Sequence, residues 1–355
     1  VVLETMRDEA SKFLPSLLAV VLALAVSALV VWASGHSPSL AFAALLEGAF
    51  GSRDSVAEVA VKACPLVFTG LAVALSFRAG VWNIGAEGQL LVGAVGVAAL
   101  AQLVGTSLPR PIALVLALVV AAVGGALWAM IPAVLKLTRA VNEVIATIML
   151  NFIAAALVSY LVQGPLMEAS GRYPQTEALP AEFLLPRWAP YRLHLGLVVA
   201  LLAAAIAHAG LFLWRPGYEL RAAGLNPAAA RLAGIPVARR LFWAFVLSGA
   251  LAGLAGGVEL SGITRRVYER FSPGWGYTAI AVGLLGRLSP VGVVFAALFF
   301  GALDAGSNAM QRVAGVSSVV VYVVQACVIL FLASFERWQR RRQQVDSTGN
   351  GNPSS

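Results

Sequence analysis

The sequence predicts an all-α polytopic membrane protein of about ten transmembrane helices, compatible with two inverted five-helix halves and carrying a short cytoplasmic helix between two spans. Three observations predict it. Of the 355 residues, 59% are hydrophobic and 12% charged, with a mean hydropathy of +0.84, a balance that ordinary soluble domains do not have. Apolar runs of about 20 residues, the length a helix needs to cross hydrocarbon, recur along the chain. Between two of them lies RPGYELRAAGLNPAAARLAGIPVARR (215–240), a polar segment that bears Arg215, Arg221, Arg231, Arg239 and Arg240.

The spans, in order, are 14–33, 56–77, 88–105, 111–135, 142–163, 193–214, 241–260, 276–287, 289–306 and 316–334. The first follows acidic as well as basic residues and lacks a small-residue cleavage site, so it reads as a retained helix and not as a signal peptide. Gly80, Gly85 and Gly88 loosen the entrance of the third. Asn142 and Glu143 open the fifth as an N-cap and a first-turn acid. The 164–192 loop holds Pro165, Pro174, Pro180, Pro186 and Pro190, a density that favours a fixed, extended structure over a random coil. Gly249, Gly253 and Gly257 recur every fourth residue in the seventh span, a spacing that lets two helices approach closely. The eighth, GYTAIAVGLLG, is too short to cross unaided and is interrupted by Gly283 and Gly286. It is either a tilted span extended into its flanks or a broken helix of the kind that lines transport sites. In a scheme of two five-span halves it corresponds to the third span, whose entrance GVWNIGAEG it faintly resembles. Residues 336–355 are a polar tail, expected to be disordered.

The net charge of +8 does not indicate nucleic acid, because the basic residues sit at span ends and in loops, where they set orientation. Ten spans with the N-terminus inside place a modest majority of Lys and Arg in the cytoplasm, together with both concentrated clusters, 215–240 and Arg337–Arg342. Nine spans would put those clusters on opposite faces. The chain is therefore expected to be multi-pass in a membrane, with both termini cytoplasmic. Cys64 and Cys327 fall inside apolar runs and read as packing residues.

The centre of the 215–240 segment is a capped helix. Asn226 can accept from a first-turn amide, Pro227 stands where its missing N–H costs nothing, and Ala228 to Ala233 favour helix around Arg231 and Leu232. Gly234 suits the left-handed residue that ends a helix, and Pro236 prevents continuation. Two turns are too few to be stable alone in water, so this helix needs a surface, either anionic lipid or a cytoplasmic protein.

GYELRAAGLNPAAARLAGI (217–235) resembles the cytoplasmic coupling segment of ABC-type importer permeases, in the branch that carries sugars, nucleosides and branched-chain amino acids. FRAGVWNIGAEGQLLVGAVG (77–96), NEVIATIMLNFIA (142–154) and GYTAIAVGLLGRLSPVGVVFAALFFGAL (276–303) resemble the same branch in the same order, so that the likeness covers about 56–334. NIGAEGQ and NEVIATIMLN are similar to nucleoside importers that work with lipoprotein binding proteins, and the length and long external loop resemble the larger of two paired permease subunits. The resemblance implies that Glu219, Arg221, Gly224, Asn226, Ala229, Arg231, Leu232 and Gly234 belong to an ATPase-coupling segment. It also implies ABC ATPase subunits, an external substrate-binding lipoprotein and a second permease chain as partners, beside membrane lipid and a small-molecule substrate. No cofactor is expected on this chain. Only Lys12, Lys62 and Lys136 occur, none in a GxxxxGK[ST] loop, so ATP would be hydrolysed by a partner subunit.

Polar groups in hydrocarbon are costly and usually face a bundle interior or a water-filled path. Asn83, Glu87 and Gln89 are the first such group, as substrate-path residues or, for Glu87, as a tie to Arg78. Asn151, in mid-span, has no capping role to explain it and is expected to serve inside the bundle, as a substrate-path contact or an interhelical bond. Asp304 and Asn308 lie four apart on one helical face and either line the path or pair with Arg312. Glu259 is expected to reach outward near Arg265 and Arg266, and His194 and His208 read as hydrogen-bonded packing residues. No metal site is expected. The expected function is a permease subunit that translocates a nucleoside, or a related ribose or simple-sugar solute, by alternating access. The alternative is a secondary transporter driven by an ion gradient, although the ionisable residues are scattered and mostly peripheral. An intramembrane enzyme would need HExxH, GxSxG or paired mid-span Asp, and none is present.

Overall fold

A computed structural model describes residues 2–317, 319–328, 330, 331 and 334. The helices are α1 (Val2–Ala33), α2 (Pro38–Phe50), α3 (Arg53–Arg78), α4 (Ala86–Val104), α5 (Arg110–Arg139), α6 (Glu143–Gln163), α7 (Gly196–Phe212), α8 (Arg215–Leu225), α9 (Pro227–Leu232), α10 (Val237–Glu259), α11 (Trp275–Leu285) and α12 (Pro290–Ala314). No strand occurs among the described residues, only two isolated bridges, and the chain is an all-α polytopic membrane protein. The run 316–334 is described only in part, and Arg337–Arg342 with the tail 336–355 lie outside the described residues.

Six helices are long and apolar enough to cross a bilayer, or seven if α7 and α8, bent by 70° at their junction, count as one broken span. Ten is not reached by this measure. Leu18–Ala33, α2 and α11 are apolar but shorter. At 13 residues α2 was not expected as a helix, and the 215–240 segment holds two helices, α8 and α9, where one was expected.

The described residues form two compact units. In the first, Val1–Gly48 with Leu303–Ser355, α2 packs on the second half of α12 through missing side chains. A Cβ on Gly306 would stand 2.3 Å from the Leu45 carbonyl oxygen, and one on Gly48 2.4 Å from the Ala309 methyl.

In the second unit, Ala49–Ala302, the ordering principle is residue size. On α5, Ala113, Ala117, Ala121, Gly125 and Ala129 recur every fourth residue and are buried, while Val115, Val119, Val123 and Leu127 recur on the opposite side and are exposed. The small stripe meets Gly249, Gly253 and Gly257 of α10: a Cβ on Gly253 would lie 2.1 Å from the Ala121 carbonyl oxygen. The backbones themselves are in contact, which is how helices associate where lipid removes the hydrophobic drive between them. On its other side α10 touches α4, with Gly256 against Leu90 and Gly93 against Gly253. The exposed valines lie on the outer side of α5, away from α10.

At one end of this unit the proline-rich loop 164–192 is laid along residues 261–267. Thr176 and Leu179 donate their amides to the carbonyls of Val267 and Arg265, both at 2.8 Å, and Arg187 donates to Gly262. Glu168 accepts from Arg266 at 2.5 Å and from Gln175 at 2.8 Å. Arg266 is thus bound to the loop, 98 positions away, and not to Glu259. At the other end lie the C-terminus of α3 and helices α8 and α9.

Candidate functional site

Two stretches interrupt the helices of the second unit: residues 79–85, which lead into α4, and 265–274, which lead into α11. Both end in a helix N-terminus, and the two N-termini meet. A Cβ on Gly276 would be 2.2 Å from the Glu87 amide nitrogen and 2.5 Å from its Cα. Glu87 lies in the first turn of α4, and its Oε2 accepts the Gly276 N–H of α11 at 2.7 Å. One buried carboxylate therefore serves the positive ends of two helices. It is not tied to Arg78, which donates instead to the Leu288 carbonyl at 2.6 Å.

Freed backbone around the junction is satisfied by the amide side chains. Asn83 and Gln89 bond each other reciprocally at 3.1 and 3.2 Å. Asn83 also donates to Ser248 Oγ and accepts from the Gly85 amide, both at 2.9 Å. Asn151 accepts from the Gly88 amide and donates to the Ile84 carbonyl, both at 2.9 Å, and reaches Tyr277 Oη at 3.3 Å. Ser248 and Asn151 are mid-helix residues of α10 and α6, which puts the broken backbone at membrane depth. Non-helical backbone is tolerated there only where protein or a water-filled cavity receives its polar groups.

A cavity of about 590 Å³ opens beside the junction, lined by Glu87, Asn151, Ser159, Glu269, Arg270 and Tyr277 among others. Glu269 accepts from Ser159 Oγ at 2.6 Å and from Gln163. Of the six expected path residues, the structure gathers Asn83, Glu87, Gln89 and Asn151, and only Glu87 and Asn151 line the cavity. Asp304 (half-buried) and Asn308 (exposed) belong to the other unit. Sequence reasoning missed Tyr277, Glu269 and Arg270. Tyr277 carried a signal, as the one aromatic hydroxyl in the eighth apolar run. Asn142 is a cap, accepting from Val144 at 2.9 Å, and Glu143 pairs with Lys136 at 2.6 Å.

The second candidate surface is α8–α9. Asn226 Oδ1 accepts from Ala228 and Ala229 at 3.1 and 3.0 Å, and Gly234 ends α9 at φ +78. Ala230 turns inward onto Ala223 and Val237, leaving Ala229, Arg231 and Leu232 outward, the last 92% exposed. Glu219 anchors the segment: its buried carboxylate accepts from Arg240 Nε at 2.7 Å and Arg215 Nε at 2.8 Å. Arg240 and Arg215 hold that carboxyl below the usual carboxylate range. Gly224 lets α8 touch the turn after α3, since a Cβ there would lie 2.1 Å from the Arg78 carbonyl oxygen. Arg221 is not on the outward face. It is half-buried over the Phe212 ring.

Known proteins match this architecture along most of its length. The chain is 41% identical to the guanosine ABC transporter permease protein NupP of Bacillus subtilis, over 91% of this chain and 94% of that one. It is 38% identical to the glucose ABC transporter permease protein TsgB13 of Haloferax volcanii, over 95% and 91% of the two chains. It is 32% identical to the nucleoside ABC transporter permease protein NupB of Lactococcus lactis, over 92% of each. Residues 55–333 match the family described as branched-chain amino acid transport system / permease component, and the chain belongs to that family.

Proposed function

We propose that this chain is the membrane-spanning permease subunit of an ATP-driven importer that translocates a nucleoside, or a related ribose or simple-sugar solute, by alternating access. The observation that carries the reading is the meeting of two helix N-termini at membrane depth, beside a polar cavity, in a chain whose relatives are named for guanosine, nucleosides and glucose. Glu87, Asn151 and Tyr277 offer acceptors and donors suited to ribose hydroxyls, and Tyr277 and Phe152 offer exposed rings on which a base can stack. Asn83 and Gln89 hold the broken backbone in place. Asp304 and Asn308 remain proposed path residues.

Helix α9 is the coupling element, and its outward residues Ala229, Arg231 and Leu232 are the contact surface for a partner ATPase, which binds and hydrolyses the ATP. Asn226 and Gly234 fix its ends, and Glu219 and Gly224 fix its base. An external binding lipoprotein delivers the solute. A second permease chain covers the exposed apolar side chains of α6, Ile145, Met149, Phe152 and Tyr160, beside which the cavity opens. The protein resides in the bacterial cell membrane with both termini cytoplasmic. Substrate class is tested by uptake of labelled guanosine into vesicles holding the assembled importer, in competition with excess ribose, glucose or unlabelled guanosine. Suppression by guanosine alone, or by guanosine and ribose, supports the reading, whereas uptake of branched-chain amino acids in place of all three overturns it.

A further inference from the structure

One cluster of charge in the second unit serves neither the junction nor the outward face of α9. The Phe212 ring, at the last residue of α7, has the guanidinium carbon of Arg78 4.9 Å from its centroid and that of Arg221 5.0 Å from it. Two cations are thereby held within about 10 Å of one another at the end of the bundle. Among the described residues no carboxylate pairs with either. Glu219, two residues from Arg221, is already engaged by Arg215 and Arg240. Arg78 spends its bonds on the carbonyls of Leu288 and Arg287. Among the described residues Arg221 makes no hydrogen bond, and its Nε is buried without a partner. His208 lies tilted against the same ring at 5.0 Å, and its Nδ1 is likewise buried and unpartnered. Two cations without a carboxylate partner among the described residues, one with an orphaned Nε, share one ring, an arrangement that suits an oxyanion.

We propose that Arg78 and Arg221, seated on Phe212 with His208 beside them, form a binding site for a phosphate group, presented by the headgroup of an anionic lipid. Guanidinium forks match phosphate oxygens in pairs, and basic pockets at the ends of membrane helices hold such headgroups. The neighbouring residues favour a lipid over free phosphate as the source. Ile206, Trp214 and Trp243, exposed beside the same α7–α8 corner, line an apolar groove of about 410 Å³ that offers an acyl chain a surface. The site gives Arg221 a role in fastening α8 to the bilayer in place of contact with an ATPase.

Native mass spectrometry of the full-length protein in its assembled complex, delipidated and then titrated with phosphatidylglycerol or phosphatidylcholine, tests this. The expected result is a phosphatidylglycerol adduct whose affinity falls roughly tenfold or more in Arg221→Gln and in Arg78→Gln, with the phosphatidylcholine adducts unchanged. If both lipids behave alike in all variants, but inorganic phosphate binds the wild type and neither variant, the site stands with a soluble source. If neither lipid nor phosphate distinguishes the variants, the proposal is overturned. Should the variants fail to insert, a photoactivatable phosphatidylglycerol on the wild type decides the matter. Cross-links within 75–82 or 205–222 support the site, and cross-links wholly elsewhere refute it.

Discussion

Replacing Gly276 by alanine tests the junction at its tightest point. The added Cβ would meet the Glu87 amide nitrogen at 2.2 Å, Glu87 Cα at 2.5 Å and the Ala86 carbonyl carbon at 2.8 Å, all backbone atoms that no rotamer change can move. Ordinary contact begins near 3.4 Å, so the N-termini of α4 and α11 must part by about 1.2 Å. That movement stretches the 2.7 Å bond from Gly276 N–H to Glu87 out of hydrogen-bonding range. Overpacking costs about 1–3 kcal/mol, and loss of a hydrogen bond to a buried carboxylate about 1.5–3 kcal/mol. Together roughly 3–5 kcal/mol is at stake, a large share of a typical folding free energy. Heating the purified full-length protein and following the monodisperse fraction should show the variant failing well before the wild type, and solute uptake should fall with it. Gly96→Ala is the control, since its Cβ would meet only the Val120 side chain at 3.2 Å and a carbonyl at 3.8 Å, and it should be neutral or slightly stabilising. A Gly276→Ala protein that matched the wild type in both assays would refute the reasoning.

Further outcomes follow from other contacts. Gly253→Ala places a Cβ 2.1 Å from the Ala121 carbonyl oxygen and should destabilise the α5–α10 pair by about 1–3 kcal/mol, read as a lower melting temperature; an unchanged melt would contradict backbone contact. Leu232→Ser, at a side chain 92% exposed, should change folding by no more than about 0.5 kcal/mol yet reduce ATPase co-purification several-fold, and full ATPase retention would remove α9 as the docking surface. Glu168 in the proline-rich loop is held below the usual carboxylate range by Ser170, Gln175 and Arg266. Its stabilising effect is therefore complete above the usual range, about pH 4, and is lost as pH falls through the depressed value. Hydrogen exchange in 168–176 should be level from about pH 5 to 8, once corrected for intrinsic rates, and should rise below about pH 3.5.

Periodic features were legible in the sequence because a helix imposes its own repeat. The Gly249, Gly253 and Gly257 stripe announced a close helix contact, and Asn226, Pro227 and Gly234 announced a capped short helix, since caps are local chemistry. Helix α8 was not legible. Its Gly217 and Gly224 are close-approach points, with the Gly217 Cβ position only 2.0 Å from the Gly210 carbonyl oxygen, and no local pattern marks such contacts. Helix α2, with 13 residues, fell below the length that marks a span. In the site, Asn83, Glu87, Gln89 and Asn151 stood out as polar groups in apolar runs, but their partners did not. Gly276 is 189 positions from Glu87, and no local pattern encodes such a meeting. A separation of 98 positions likewise explains why Arg266 was placed near Glu259 and proved to bind Glu168.

The central claim is that this chain receives work from an ATPase to move a solute past the α4–α11 junction. Purified permease, its ATPase partner, its second permease and the binding protein, reconstituted in sealed vesicles with ATP on the α9 side, test it most directly. The account predicts solute uptake that requires ATP, survives collapse of proton and sodium gradients, and disappears when residues 228–232 are replaced by Gly and Ser. Uptake by this chain alone, driven by a proton gradient and indifferent to ATP, would contradict it.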